Sequence, residues 1–269
     1  MGDERFQRIE VNGEPAGLGD LRLLAVQNYG HFTSMQVRDG RVQGLDLHLD
    51  RLRRATLELF DRELDLDAVR GWMRRLAGDE GALSLRVNVF SRGFDRDRPS
   101  RPAVPDVLVS AAPARAVDPA PLRVRVQRYE RDAPHIKHVG TFGLFHQRRL
   151  AQQHGFDDAL FVTAGGAISE GSVWNVGFLD GERVVWPEAP MLRGISMQLL
   201  QDGLRRSGVP TEIRRIERAE LPGFRSAFFT NSARAMQPIA CIDGVEFAAD
   251  AALRERLEAA LALQAWQPV

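Results

Sequence analysis

Pro134-His-Ile-Lys137-His-Val-Gly140 carries the only lysine in a chain of 269 residues. The remaining 35 basic residues are arginines. A GC-rich genome drives lysine codons toward arginine, and a surface cation tolerates that exchange. A lysine persists where its amine is needed, because an amine can lose a proton and form an imine with a carbonyl. Arginine can do neither. The segment lies between a strand-like run and a helix, and such element ends are where active-site residues gather. His135 and His138 flank the lysine. A nearby cation, or burial, lowers an amine pKa toward the neutral form that attacks a carbonyl. Taken singly, the two histidines read as exposed loop residues.

On either side of this segment the pattern is mixed. Leu122-Arg-Val-Arg-Val-Gln127 alternates like a strand, and a helix from about Gly143 to His154 stops at Gly155. Strands follow at 158–163, 167–168, 173–179 and 183–186, with Asp180-Gly181 turning the last two into a hairpin. A helix runs from near Gly194 to Ser207-Gly208. Strands at 226–230 and 238–242 precede an Ala/Leu-rich helix at 249–264. Toward the N-terminus, 7–12 and 21–27 read as strands, and 32–43 as a hairpin around Asp39-Gly40. Helices are expected at about 46–60 and 67–76, strands at 83–91 and 106–112, and a loop at 92–105. The proline-rich stretch Ala112–Pro121 marks a boundary between a small N-terminal domain, 1–115, and a larger domain, 116–269. The class is α+β with mixed strands in each half, not a regular βαβ series.

Composition bounds the partners. Hydrophobic residues make up 44% and charged residues 27%, as in an ordinary globular protein. The formal net charge is zero, which argues against a nucleic-acid footprint or a membrane-surface patch. The start, Met1-Gly-Asp-Glu-Arg-Phe6, lacks the apolar core of a signal peptide, and no run approaches the ~18 apolar residues of a membrane span. Cys241 is the only cysteine, which excludes an intrachain disulfide and fits a reducing cytoplasm. No constellation of metal ligands is read.

Several further residues could carry chemistry. Glu170, in Ile168-Ser-Glu-Gly-Ser-Val-Trp-Asn175, could pair with a protonated ring nitrogen. Gly194-Ile195-Ser196 opens a helix whose N–H groups and hydroxyl suit a phosphate. Thr230-Asn231-Ser232 supplies two hydroxyls and an amide after a strand. His48 and Arg51 share a helix face, and Arg51 could clamp a phosphate through paired N–H donors. Arg92, Arg96 and Arg98 could receive a substrate carboxylate. Each also has an ordinary reading, as a turn, a cap or a surface cation.

In order and spacing, five segments together resemble the class IV aminotransferase family: His48-Leu-Asp-Arg-Leu52, Ile136-Lys137, Ser169-Glu-Gly-Ser-Val-Trp-Asn175, Leu192-Arg-Gly-Ile-Ser196 and Phe229-Thr-Asn-Ser-Ala233. The resemblance spans about residues 20 to 245. It implies fold type IV among pyridoxal-phosphate enzymes, with a small N-terminal α/β domain and a larger mixed α/β pseudo-barrel domain. The implied cofactor is pyridoxal 5'-phosphate. Lys137 matches its Schiff-base lysine, and Glu170 the acid on the pyridine nitrogen. Arg51, Ile195, Ser196 and Ser232 match its phosphate contacts, with Asn231 beside them. The resemblance further implies a homodimer with each site near the interface, acting on a small-molecule amino donor and an oxo acceptor.

Departures from the pattern bear on the reaction. Branched-chain members carry a tyrosine five residues after the lysine, and here that position is Phe142. The segment Gly30-His-Phe-Thr-Ser-Met-Gln-Val37 lacks the usual Gly-Asp-Gly, and its Phe32-Thr33 leans toward the 4-amino-4-deoxychorismate lyases of the same family. The expected activity is transamination of a non-branched-chain substrate. Pyruvate elimination, with Thr33 assisting the leaving oxygen, is the alternative. A non-catalytic homodimer that binds the cofactor is a third reading, and retention of Lys137 and Glu170 argues against it.

Overall fold

The computed structural model describes residues 8–114 and 120–269. They divide into two compact units. The first contains 8–114, Ile136–Gly140 and Trp266–Val269. The second contains 120–135 and Thr141–Ala265.

In the first unit, β1 (Arg8–Val11), β2 (Glu14–Pro15) and α1 (Leu18–Val26) lead into β3 (His31–Arg38), β4 (Arg41–Gln43), α2 (Leu45–Phe60), α3 (Leu66–Ala77), β5 (Ala82–Phe90) and β6 (Asp106–Pro113). The sheet is antiparallel throughout. Its order is the C-terminal strand Trp266–Pro268, then β4, β3, β5, β6, β1 and β2. Alternation sets its two faces. His31, Thr33, Met35 and Val37 are buried, while Ser34, Gln36 and Arg38 on the other parity are not. Leu45, Leu49 and Leu52 of α2 and Val69, Met73 and Leu76 of α3 recur at helical spacing. They pack on Met35, Val37, Leu85 and Val87. Each fully buried side chain of this size contributes about 1.5–3 kcal/mol. The expected Asp39-Gly40 turn is present, with φ of 47° and 66° at its two residues, the positive pair that a tight hairpin requires.

In the second unit, β7 (Leu122–Arg128), α4 (Phe142–Gln153), β8 (Asp158–Val162), β9 (Ile168–Gly171), β10 (Asn175–Asp180), β11 (Arg183–Pro187), α5 (Ile195–Arg206) and β12 (Thr211–Arg214) precede a 3-10 turn at Arg218–Gly223. Then come β13 (Ser226–Asn231), β14 (Arg234–Ile242), β15 (Val245–Glu246) and α6 (Ala251–Ala262). Six strands close on themselves in the order β10, β13, β14, β7, β8, β9. The closing pair is Glu170 of β9 against Asn175 of β10. This ring, with parallel pairs β7–β8 and β7–β14, is the mixed pseudo-barrel. Val124, Leu160, Ile168, Val176 and Phe229 belong to its apolar core. Leu200 and Leu204 of α5 pack with Leu253 and Leu257 of α6 and with Trp186.

The structure corrects several expectations. Residues 21–27 were expected as a strand, yet Leu18–Val26 is a helix. Its run of Leu, Arg and Ala favours helix over strand, and the Asp20 carboxylate accepts the Gly17 N–H at 2.9 Å to hold the first turn. Leu23 and Leu24 pack beside Phe90 and Leu108. The strands β12 and Trp266–Pro268 were not foreseen, being only four and three residues long. The strand expected at 173–179 begins at Asn175, which leaves 172–174 as a corner. The boundary at Ala112–Pro121 falls partly on 115–119, outside the described residues, as does residue 7 of the first expected strand. Beyond it, Ile136–Gly140 and the last four residues group with the first unit. The reason is a strand-like graft. The Phe32 N–H donates to the Lys137 carbonyl at 2.9 Å, the Val139 N–H to the Gly30 carbonyl at 3.0 Å, and His31 bridges His138. Among the described residues no helix is long and apolar enough to cross a membrane.

Candidate active site

In the first unit the graft onto β3 brings Lys137 to Phe32. The Lys137 amine lies 4.9 Å from the centroid of the Phe32 ring. The Arg86 guanidinium sits over the same ring, at 3.7 Å. An aromatic ring attracts cations, and this one gathers the half-buried lysine residue and a second positive charge. Arg86 reaches this place from β5, and its Nε donates to the Asn88 carboxamide at 2.7 Å. Burial lowers its pKa from the usual arginine value, yet a guanidinium stays charged. A cavity of about 380 Å³ opens on this side of the sheet, lined by Arg86, Asn88, Ser110, Tyr29, Gln27 and Leu24 among others.

On the opposite face of β3, Thr33 is fully buried and its hydroxyl lies 2.6 Å from His48 Nδ1. Burial, then the charges of Arg51 and Lys137, hold the His48 pKa well below its ordinary value. A neutral imidazole therefore stands within electrostatic reach of both cations. Arg51 is itself buried on α2. His31 is buried too, with Nε2 at 3.0 Å from the Thr56 hydroxyl, and burial pushes its pKa down to about 3. The expected candidates Lys137, Arg51 and Thr33 thus lie around one end of β3. Arg96 and Arg98 do not. Both are exposed, and Arg96 donates to the Val26 carbonyl. Arg92 is spent on ion pairs with Asp20 and Asp106, each at 2.6 Å. His135 is exposed.

In the second unit Glu170 is buried where the barrel closes, with the Arg131 guanidinium 3.8 Å from its carboxylate. A charge taken out of water needs such a partner. The corner after Glu170 is held from behind by Asp158. Its carboxylate accepts from the Ser172 hydroxyl at 2.6 Å and the Trp174 indole at 3.0 Å, and it pairs with Arg148 at 2.8 Å. Asn175 then turns its amide onto the segment before α5. Its Oδ1 accepts the Gly194 N–H at 3.1 Å, and its Nδ2 donates to the Leu192 carbonyl at 2.8 Å. A Cβ at Gly194 would lie 2.1 Å from that oxygen, so only glycine lets the chain approach. Ile195 and Ser196 begin α5 with first-turn N–H groups that have no intrahelical acceptor. Asn231 caps its own turn, accepting from the Ala233 and Arg234 N–H groups at 3.0 and 2.9 Å and donating to the Val173 carbonyl at 3.3 Å. That leaves Ser232 at the tip of the turn.

The fit of these residues to a phosphorylated pyridine aldehyde can be judged from their chemistry. Glu170 is a buried acid backed by a cation, as a protonated ring nitrogen requires. The start of α5 offers N–H groups to an anion. Thr230, paired across the ladder with Asn175, has a fully buried hydroxyl without a hydrogen-bond partner among the described residues. The residues fit. Sequence reasoning missed Arg86, Arg131 and Asn175. The two arginines are indistinguishable from the other arginines of the chain until their neighbours are known. Asn175 stood in a quoted motif but carried no signal of its own.

Comparison with known proteins gives the family and the fold. The sequence model described as "Amino-transferase class IV" matches residues 30–242. A bifunctional aminodeoxychorismate lyase / D-amino acid transaminase of Mycobacterium tuberculosis is 28% identical over 251 residues, covering 82% of this chain and 84% of that protein. The branched-chain aminotransferase of Thermoproteus uzoniensis, solved with norvaline, superposes with a TM-score of 0.81 at 20% identity, covering 94% and 93% of the two chains. A Mycobacterium tuberculosis aminotransferase in its PLP-bound form superposes with a TM-score of 0.74 at 23% identity, covering 89% and 90%.

Proposed function

The chain belongs to the class IV amino-transferase family, and on that premise we propose how its residues divide the work of moving an amino group. It is a pyridoxal-phosphate-dependent aminotransferase. When bound, the cofactor supplies an aldehyde for the amine and a conjugated ring that takes up an electron pair. Lys137 would hold the cofactor at its aldehyde, and its amine would carry a proton to and from the substrate α-carbon. Glu170, steadied by Arg131, keeps a proton on the ring nitrogen. Arg51, the start of α5 at Ile195 and Ser196, and the turn at Asn231-Ser232 hold the phosphate.

The substrate is an amino acid or amine of non-branched-chain type. Arg86, which shares the Phe32 ring with Lys137, is better placed than the exposed Arg96 and Arg98 to meet a substrate carboxylate. The observation that carries this reading is the position of the chain's only lysine, on an aromatic face beside a half-buried guanidinium. The protein acts as a cytoplasmic homodimer, with each site near the interface. A panel of D- and L-amino acids and amines, followed by conversion of the bound cofactor to its amine form, tests the assignment. At least one donor should convert the cofactor, and branched-chain donors should be poor. Efficient turnover of leucine or valine would overturn the substrate class.

Pyruvate elimination from aminodeoxychorismate is the second reading. It is favoured by the dual name of the mycobacterial relative and by the Thr33–His48 pair, a hydroxyl on a neutral imidazole. Rapid pyruvate release that disappears in Thr33→Ala, with no amino donor accepted, would place elimination first.

A further inference from the structure

We propose that Asn175 is a positioning residue that fixes the start of α5 to the strand closing the barrel, so that the phosphate-holding end keeps a constant spacing from Glu170. The inference rests on the assignment of α5 to the phosphate given above. Asn175 is the residue where three segments meet. Its backbone pairs with Glu170 on one side and Thr230 on the other. The residue is 4% exposed, and its side chain spans Gly194 and Leu192.

The amide uses its two ends in opposite senses, accepting from one backbone group and donating to another two residues away. Aspartate has the shape but lacks the donor, and it would place a negative charge at a helix N-terminus meant for an anion. Leucine would satisfy neither group. The Gly194 N–H and the Leu192 carbonyl would then lose their partner, and a lost partner is costly where water does not reach. Thr230 points to a ligand independently of Asn175. Directly paired residues project to the same side of a sheet. The buried Thr230 hydroxyl, unpartnered among the described residues, therefore lies on the side from which Asn175 grips the turn before α5.

The test compares affinity for pyridoxal 5'-phosphate with affinity for pyridoxal, which lacks the phosphate, using apoprotein and cofactor absorbance. Wild type should prefer the phosphorylated form, and Ser196→Ala should reduce that preference. Asn175→Asp should weaken binding of the phosphorylated form by about tenfold or more, while pyridoxal affinity changes little. Gly194→Ala, which pushes a methyl against Asn175 Oδ1, should show the same selective loss. It decides the matter if the Asp variant does not fold. Equal losses for both ligands, or none, would overturn the positioning role. If wild type itself shows no preference for the phosphorylated form, the assignment of α5 to phosphate fails instead.

Discussion

The lysine-bearing end of β3 and the Glu170–Asn175 corner hold their functional groups by different physics. Around Lys137 the work is electrostatic. Two cations share one aromatic ring, and His48 stays neutral because burial and the charges of Arg51 and Lys137 oppose its protonation. At the corner the work is done by hydrogen-bond geometry. Asp158 gathers Ser172, Trp174 and Arg148 behind the turn, and Asn175 ties the turn before α5 to the barrel. Side chains at the first region should therefore be sensitive to charge. Those at the second should be sensitive to the exchange of a donor for an acceptor, even at constant shape.

Lys137→Arg tests the first region most severely. Charge is kept, but the amine that can lose its proton is gone. Turnover should fall about 10⁴-fold or more, because both the covalent anchor and the proton carrier are lost. Steady-state rates with a good amino donor measure it, and near-normal turnover would mean that the lysine is a surface survivor. Glu170→Gln tests the second region at constant shape. The amide cannot hold a proton on the ring nitrogen, so turnover should drop by about 10²- to 10³-fold while the cofactor stays bound. A rate close to wild type would reduce Glu170 to a strand residue.

Arg51→Ala should act on binding more than on chemistry. A charge-assisted contact to phosphate contributes about 1.5–3 kcal/mol, or one to two decades in cofactor affinity, with a smaller effect on saturated turnover. Unchanged cofactor dissociation would remove Arg51 from the phosphate site. Per pH unit, the smallest effect is on stability. The His31 pKa is near 3 in the folded chain, against 6.5 ordinarily. The unfolded chain thus binds a proton that the folded chain refuses. Stability is full above 6.5 and is lost as pH falls from there toward about 3, by about 1.4 kcal/mol per pH unit. His31→Gln should lessen that slope in urea titrations taken across the window. The same slope in both proteins would show that His31 is not the group responsible.

The lysine was legible because its rarity in an arginine-rich chain marks it before any fold is known. The motifs around Glu170 and Ser196 were legible as an ordered set, and the Asp39-Gly40 hairpin through turn chemistry. Other parts were not. Leu21–Val26 is a short apolar run with no period long enough to separate helix from strand, and packing against Phe90 and Leu108 decided it. Arg86 and Arg131 are chemically identical to the arginines that coat the surface. Only the Phe32 ring and the Glu170 carboxylate set them apart. The graft of Ile136–Gly140 onto β3 is a long-range backbone pairing, which no local pattern announces.

Borohydride reduction of the holoprotein, followed by peptide mass analysis, bears most directly on the role of Lys137. Since the chain has one lysine, its side chain and the N-terminal amine are the primary amines available. Reduction should fix the cofactor mass on the peptide that contains Lys137, and prior saturation with a good amino donor should abolish the label. A label on the N-terminal amine, or cofactor released intact on denaturation after reduction, would contradict the assignment.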